Sequence, residues 1–430
     1  MRRLLIKHGR VVDPSQKLDD GLDVLLVDGV VARLAERIED SGAQLFDAAG
    51  LIVAPGFIDM HVHLREPGYE HKETVATGTA AAVAGGFTAV CCMPNTSPVN
   101  DSAAVTEFIK KRAAEAQAAR VYPIGAVSKG LAGEELAEIG EMVRAGAVAV
   151  SDDGKPVHNA YLMRRVLEYT QLFDVPVIDH CEEPALAARG VMHEGAVSTR
   201  LGLAGLPAAA EEVMVARDVL LAELTGGRVH IAHISTRGGV ERVREAKAKG
   251  LKVTCEATPH HLALLDQAVA DRDFDTNTKM NPPLRSAEHA AALLDGVLDG
   301  TVDCLATDHA PHHADEKALE YDLAPFGVVG LETALPVTYD LLVHRHGMPL
   351  RTFVSLWSTA PARLLKLPGG TLRPGSPADV TIFNPEARAV VNPDRFRSLS
   401  RNTPFAGMRL RGWPAATIVG GVVAWRRERR

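Results

Sequence analysis

Cysteine is scarce in this chain: five in 430 residues (Cys91, Cys92, Cys181, Cys255, Cys304). Their odd number and the lack of any CxxC spacing argue against a disulfide framework and against a thiolate zinc site. Buried free thiols are the remaining reading. Long hydrophobic runs are also missing: none reaches the roughly 18 apolar residues of a membrane span. The opening Met1–His8 has two arginines but only three consecutive apolar residues before Lys7. It lacks the hydrophobic region of a secretory signal, and a cytoplasmic protein is expected. Positive charge is in deficit, with 47 Lys and Arg against 54 Asp and Glu. That argues against a nucleic-acid surface, which needs clustered cations on one face. The one basic run, Arg426-Arg427-Glu428-Arg429-Arg430, reads as a solvated end.

What remains is an ordinary globular composition, 46% hydrophobic and 23% charged, with room for two or three domains at about 100–200 residues each. Eight short β-branched runs end in polar residues: Ile52–His63, Thr88–Asn95, Val121–Val127, Ala147–Asp153, Val175–His180, Val229–His233, Lys252–Thr258 and Val302–Asp308. Ala/Glu/Leu stretches with helical spacing separate most of them: 101–118, 134–145, 160–172, 208–224, 238–249 and 286–298. Strand then helix, repeated to eight, predicts an α/β fold with a (β/α)8 TIM-like barrel. The ends read differently. Leu4–Ile6, Val24–Val27 and Val30–Leu34 lie between Asp-Pro and Asp-Gly turns, and Val380–Phe383, Ala416–Val419 and Val422–Trp425 repeat that style. Since an isolated hairpin is marginal, both ends are expected to share one small β-sandwich domain. The expected division is 1–52 and 367–430 for that domain and 53–366 for the barrel.

Seventeen histidines are the unusual abundance, and several stand at strand ends, where barrel enzymes place their chemistry. The first run ends Asp59-Met60-His61-Val62-His63. Alternation along a strand puts His61 and His63 on one side, where two imidazoles can share a metal ion. Other ends supply Asp153, His180, His233 and Asp308. Singly, Asp153 or Asp308 could cap a following helix. Together these nitrogen and oxygen donors exceed the four that one zinc takes, so a two-metal site with a carboxylate bridge is expected. Zinc is the default; manganese, cobalt or iron accept the same donors. Arg65 and Asn95 suit an anionic substrate, Arg65 gripping a carboxylate or pairing with Glu66. Asn281 and His312 lie on loops that a substrate could touch. Residues 311–327 have little regular pattern and read as a mobile loop over the site.

These residues resemble the amidohydrolase superfamily and, within it, the zinc-dependent dihydroorotases. Pro55-Gly56-Phe57-Ile58-Asp59-Met60-His61-Val62-His63 resembles the superfamily opening. His63-Leu64-Arg65-Glu66-Pro67-Gly68, Met93-Pro94-Asn95-Thr96, Ser151-Asp152-Asp153-Gly154, Asp179-His180-Cys181-Glu182, Thr258-Pro259-His260-His261, Asn281-Pro282-Pro283-Leu284-Arg285 and Ala306-Thr307-Asp308-His309-Ala310-Pro311-His312 resemble the dihydroorotases in particular. The resemblance implies that His61 and His63 bind one zinc ion, that His180 and His233 bind another, and that Asp153 bridges them. Asp308 would bind the first metal and transfer the proton. Arg65, Asn95 and His312 would hold the substrate carboxylate beside His63 and Leu64, with Asn281 and the backbone at Phe326-Gly327 against the ring. The implied reaction is reversible closure of N-carbamoyl-L-aspartate to L-dihydroorotate in pyrimidine biosynthesis. The alternatives are a hydantoinase, dihydropyrimidinase or allantoinase, which lack the carboxylate clamp, and a non-catalytic scaffold for aspartate transcarbamoylase. Hydantoinase-like relatives usually present a carboxylated lysine where Asp153 stands, which favours dihydroorotase. A homodimer and association with the transcarbamoylase are both compatible with the sequence.

Overall fold

A computed structural model describes residues 2–428. The first β-branched runs form β1 (Arg3–Asp13), β2 (Leu18–Val27), β3 (Val30–Ala35), β4 (Gln44–Asp47) and β5 (Ile52–Pro55). The chain then enters a ring of parallel strands: β6 (Phe57–Val62), β7 (Phe87–Cys92), β8 (Arg120–Pro123), β9 (Val150–Ser151) and β10 (Val177–Asp179). An excursion carries a short parallel pair, β11 (Met192–His193) and β12 (Gly205–Leu206). The ring resumes with β13 (Val229–Ile231), β14 (Val253–Ala257) and β15 (Cys304–Leu305).

Ladders run β6–β7–β8 and β9–β10–β13–β14–β15. Single parallel bridges, Gly125 to Val150 and Val62 to His309, join the two arcs into one barrel. Its interior is filled by Ile58, Met60, Cys91, Ile124, Ile178 and Cys304 among others, as the inward positions of a packed eight-stranded barrel require. All five cysteines are buried and free. Helices Ala103–Ala116, Ile139–Ala145, Ala160–Tyr169, Ala208–Thr225, Arg237–Ala248 and Ala287–Leu298 follow the expected windows, although 134–138 stay non-helical. An unforeseen helix, Val75–Gly85, fills the space after β6. It is buried on most sides, so it lacks the amphipathic stripe that would reveal it. Among the described residues no helix is long and apolar enough to cross a membrane.

The last strands are β16 (Val380–Val390), β17 (Arg409–Val419) and β18 (Val422–Arg426). One sheet runs β18–β17–β16–β5–β1–β2–β3, with β4 on β1. Leu4, Val24 and Val31 share one buried cluster with Val380, Ala416 and Ile418, so the sheet closes over its own core as a sandwich. Ile52–His63 is therefore not one strand. β5 belongs to the terminal sheet and β6 to the barrel, and they part at Gly56, where a Cβ would lie 2.1 Å from Thr88 Oγ1. Apolar residues continue across this break because both strands are buried. Arg426 and Arg427 of the basic tail are exposed, as expected, and their guanidinium groups lie 4.8 Å from the ring centroids of Phe46 and Trp413 respectively. Arg429 and Arg430 lie outside the described residues.

Candidate active site

At the C-terminal mouth of the barrel the strand ends bring six donors together. β6 holds His61, and His63 follows it, pinned by its N–H to His309 O at 2.8 Å. Asp153 comes after β9, His180 after β10, His233 after β13 and Asp308 after β15. Arg65, His233 and Asp308 have φ of 62°, 30° and 47°, a left-handed backbone that is strained for side chains of this kind.

The two oxygens of Asp153 face different histidine pairs. Oδ2 lies 3.4 Å from both His61 Nε2 and His63 Nε2. Oδ1 lies 3.4 Å from His233 Nε2 and 3.8 Å from His180 Nδ1. Asp308 Oδ1 completes the first pair, 3.2 Å from His63 Nε2 and 3.7 Å from His61 Nε2. Neither aspartate caps a helix: Asn159 caps 160–169 and His313 caps 314–317. His61 Nε2 and Asp153 Oδ1 are buried without a hydrogen-bond partner among the described residues, which costs about 1–3 kcal/mol for each such group. A cation between them removes that penalty. The donor set fits a divalent metal: His61, His63 and Asp308 converge closely enough to hold an ion, as do His61, Asp153 and His233, with His180 beside them, its Nδ1 3.0 Å from His233 Nε2.

The electrostatics agree. Burial disfavours a charged His61, yet Asp153 and Glu256 outweigh it and raise its pKa well above the usual imidazole value. Burial likewise opposes ionisation of Asp153, but the surrounding histidines hold its carboxyl well below the usual range. Asp308 is held low in the same way, against burial, by His63 and then by His61 and His233.

Glu256 was not anticipated. It is fully buried on β14, with Oε1 2.6 Å from His61 Nδ1 and Oε2 3.3 Å from His230 Nε2. His230 Nδ1 in turn meets Thr254 Oγ1 at 2.8 Å. Burial favours a neutral Glu256, but His61 and His230 prevail and bring it down to about 2. A carboxylate on Nδ1 fixes the tautomer and aims Nε2 at the metal position. Glu256→Gln is therefore expected to weaken metal affinity about 10–100-fold while leaving the fold intact. A chelator competition titration measures this, and unchanged affinity refutes the role. The signal in the sequence was a single charge inside the apolar run Val253-Thr254-Cys255-Glu256-Ala257. Asp59 stays outside the cluster: its Oδ1 accepts from His61 N and Thr307 N, tying β6 to the last strand end.

The groups expected at the substrate surround this cluster. The Arg65 guanidinium donates from Nε to Pro311 O at 3.2 Å, and its Nη2 lies 3.4 Å from His312 Nε2. Glu66 turns away to pair with Arg112 and to cap Val75 N, so the ion pair with Arg65 is absent. Asn95 Oδ1 meets His63 Nδ1 at 2.8 Å. Asn281 Nδ2 donates to Glu182 Oε2 at 2.9 Å and lies 3.3 Å from His180 Nε2. His312 Nε2 is 2.8 Å from Phe326 O. Gly327, at φ 134°, packs so close that a Cβ would lie 3.0 Å from His312 Nε2. The Leu64 side chain points away into the core, in close contact with Gly78 of the 75–85 helix, which leaves only its backbone toward the site. His260 is a further buried group here, its Nε2 unpartnered among the described residues. Burial and then His261 keep its pKa well below the usual value.

A Dihydro-orotase-like family model matches residues 50–239. The dihydroorotase of Pelotomaculum thermopropionicum is 57% identical over 422 residues, 98% of either chain. That of Solibacter usitatus is 52% identical, covering 99% of this chain and 98% of its own. Among solved structures, the L-hydantoinase (dihydropyrimidinase) from Arthrobacter aurescens superposes with a TM-score of 0.86 at 26% identity, over 98% of this chain and 96% of its own. The D-hydantoinase (dihydropyrimidinase) from Thermus sp. gives 0.84 at 26%, over 98% and 95%. With a barrel, a donor cluster fit for a divalent metal and relatives this similar over their full length, the chain belongs to the dihydroorotase family.

Proposed function

We propose that this site interconverts N-carbamoyl-L-aspartate and L-dihydroorotate, with two zinc ions held by His61, His63 and Asp308 on one side and His180 and His233 on the other, bridged by Asp153. The observation that carries the substrate assignment is Arg65: a guanidinium beside the donor cluster that makes no ion pair among the described residues. Burial lowers its pKa against the pull of Asp308, Asp153 and Glu316, and a substrate carboxylate would supply the direct bidentate partner. Bound zinc contributes Lewis acidity, lowering the pKa of water and polarising an amide carbonyl.

The chain's own residues do the rest. Arg65, Asn95 and His312 hold the carboxylate, while Asn281 and the backbone at 326–327 orient the ring. In hydrolysis Asp308, ionised at neutral pH, takes a proton from the attacking water and hands it to the departing ring nitrogen. In ring closure, which starts from the substrate's protonated side-chain carboxyl, the same residue moves the proton from the ureido nitrogen to the hydroxyl oxygen that leaves as water. All six donors sit in one place, which disfavours a non-catalytic scaffold. The free buried thiols suit a reducing cytoplasm. For the domains, the pairing of β5 with β16 supports a β unit of 2–55 and 367–428 and a barrel of 57–366.

The test is turnover of L-dihydroorotate before and after metal removal and after zinc return, with hydantoin and allantoin alongside. The expected result is turnover of dihydroorotate alone, abolished by metal removal and restored by zinc. Turnover of hydantoin or allantoin in preference sinks the substrate assignment.

A further inference from the structure

We propose that Lys317 is a positioning residue for the substrate, its buried amine holding together the two backbone segments that carry Asn281 and Phe326–Gly327. The proposal rests on the reading of those residues as substrate contacts. The 311–327 segment, expected as a mobile loop, is tied down from beneath. Lys317 ends a short helical turn, Ala314–Lys317, and is only 8% exposed. Its Nζ donates to Pro325 O at 2.9 Å, Gly327 O at 3.1 Å and Lys279 O at 3.4 Å. Gly327 N donates to Lys279 O at 3.0 Å, and the Thr276 hydroxyl to Lys317 O. The amine thus stands at the junction of 276–281 and 325–327.

Among the described residues Lys317 makes no ion pair, so three carbonyl dipoles substitute for a counter-ion. A buried cation is a costly way to fasten two loops, and a purely structural fastening would be cheaper with a neutral side chain. The charges facing it are Lys279, which opposes its protonation, and Asp275 and Glu316, which favour it. His312, on the same loop, is neutral near pH 7, lowered to about 3 by burial and by Arg65. Burial first, then Lys279, lowers Lys317 to about 7. An ammonium has three N–H donors for the three carbonyls, whereas the neutral amine has two. The folded pKa lies below the unfolded one, so the cost of burying the charge is felt in full below about 7 and fades as pH climbs toward the ordinary lysine value of 10.5. The junction is therefore expected to open less readily as pH rises.

The experiment compares metal-loaded wild type, Lys317→Met and Arg65→Met. Lys317→Met is expected to raise KM for L-dihydroorotate about tenfold, as loss of bonds of this strength implies, with kcat within about threefold and metal content unchanged. A residue of merely structural role would shift Tm and leave KM alone. If KM moves in Arg65→Met and not in Lys317→Met, this proposal alone is overturned. If it moves in neither, the reading of the substrate contacts falls as well. Should Lys317→Met not fold, hydrogen exchange of wild-type 311–327 at pH 6.5 and 8.5, corrected for intrinsic rates, decides. A gain of protection at the higher pH supports the proposal, and equal or lower protection overturns it.

Discussion

Asp308→Ala is expected to keep bound metal and lose turnover by about 10²–10⁴-fold in kcat, the range for removal of a positioned general acid–base. Asp308 is one of six donors, and four histidines and Asp153 remain to hold metal when it is gone. What vanishes is the carboxylate oxygen 3.2 Å from His63 Nε2, with an unusual left-handed backbone aiming it over the barrel axis. Because its neighbours hold it ionised, it begins the hydrolytic direction ready to accept a proton. Metal content by plasma emission, measured beside kcat on one preparation, separates proton transfer from metal binding. Near-wild-type turnover with full metal would remove Asp308 from the mechanism.

Arg65→Met is expected to raise KM for L-dihydroorotate by about 10²–10³-fold, because truncating one partner of a buried, hydrogen-bonded charge pair costs roughly 2–5 kcal/mol. Methionine keeps much of the apolar stem and removes the planar fork. The effect belongs in KM, since the carboxylate is held equally in ground and transition states. The free enzyme is expected to tolerate the change well. Arg65 has no carboxylate partner to strand, unlike Arg112, whose loss would expose Glu66. An unchanged KM would instead favour a cyclic amide without a carboxylate as substrate.

Parallel strands buried on both faces write themselves as apolar runs that stop at a polar residue, and this made the eight strand ends and their six donors legible. What was hidden followed from the same burial. β5 and β6 read as one run because both are apolar and only Gly56 marks the passage between sheets. The 75–85 helix has no polar face, so periodicity is silent there. Glu256 and His230 sit mid-strand, one layer below the donors, where attention to strand ends does not reach. Nothing in the sequence singles out Lys317, and only the fold brings the carbonyls of 279, 325 and 327 around it.

The pairing of β5 with β16 also bears on how the chain reaches its fold. During synthesis β5 emerges early, yet its partner Val380–Phe383 is made only after the whole ring. At about 5–20 residues per second that edge waits on the order of half a minute, an exposed apolar strand of the kind that invites mispairing. β6 begins immediately beyond it, and its first residues are fixed by the late segment: Gly56 N donates to Asp379 O and Phe57 N to Thr381 Oγ1. The strand that presents His61 and His63 is thus locked at its root by a segment made after the whole ring, so the footing of the donor cluster is complete only once β16 has docked.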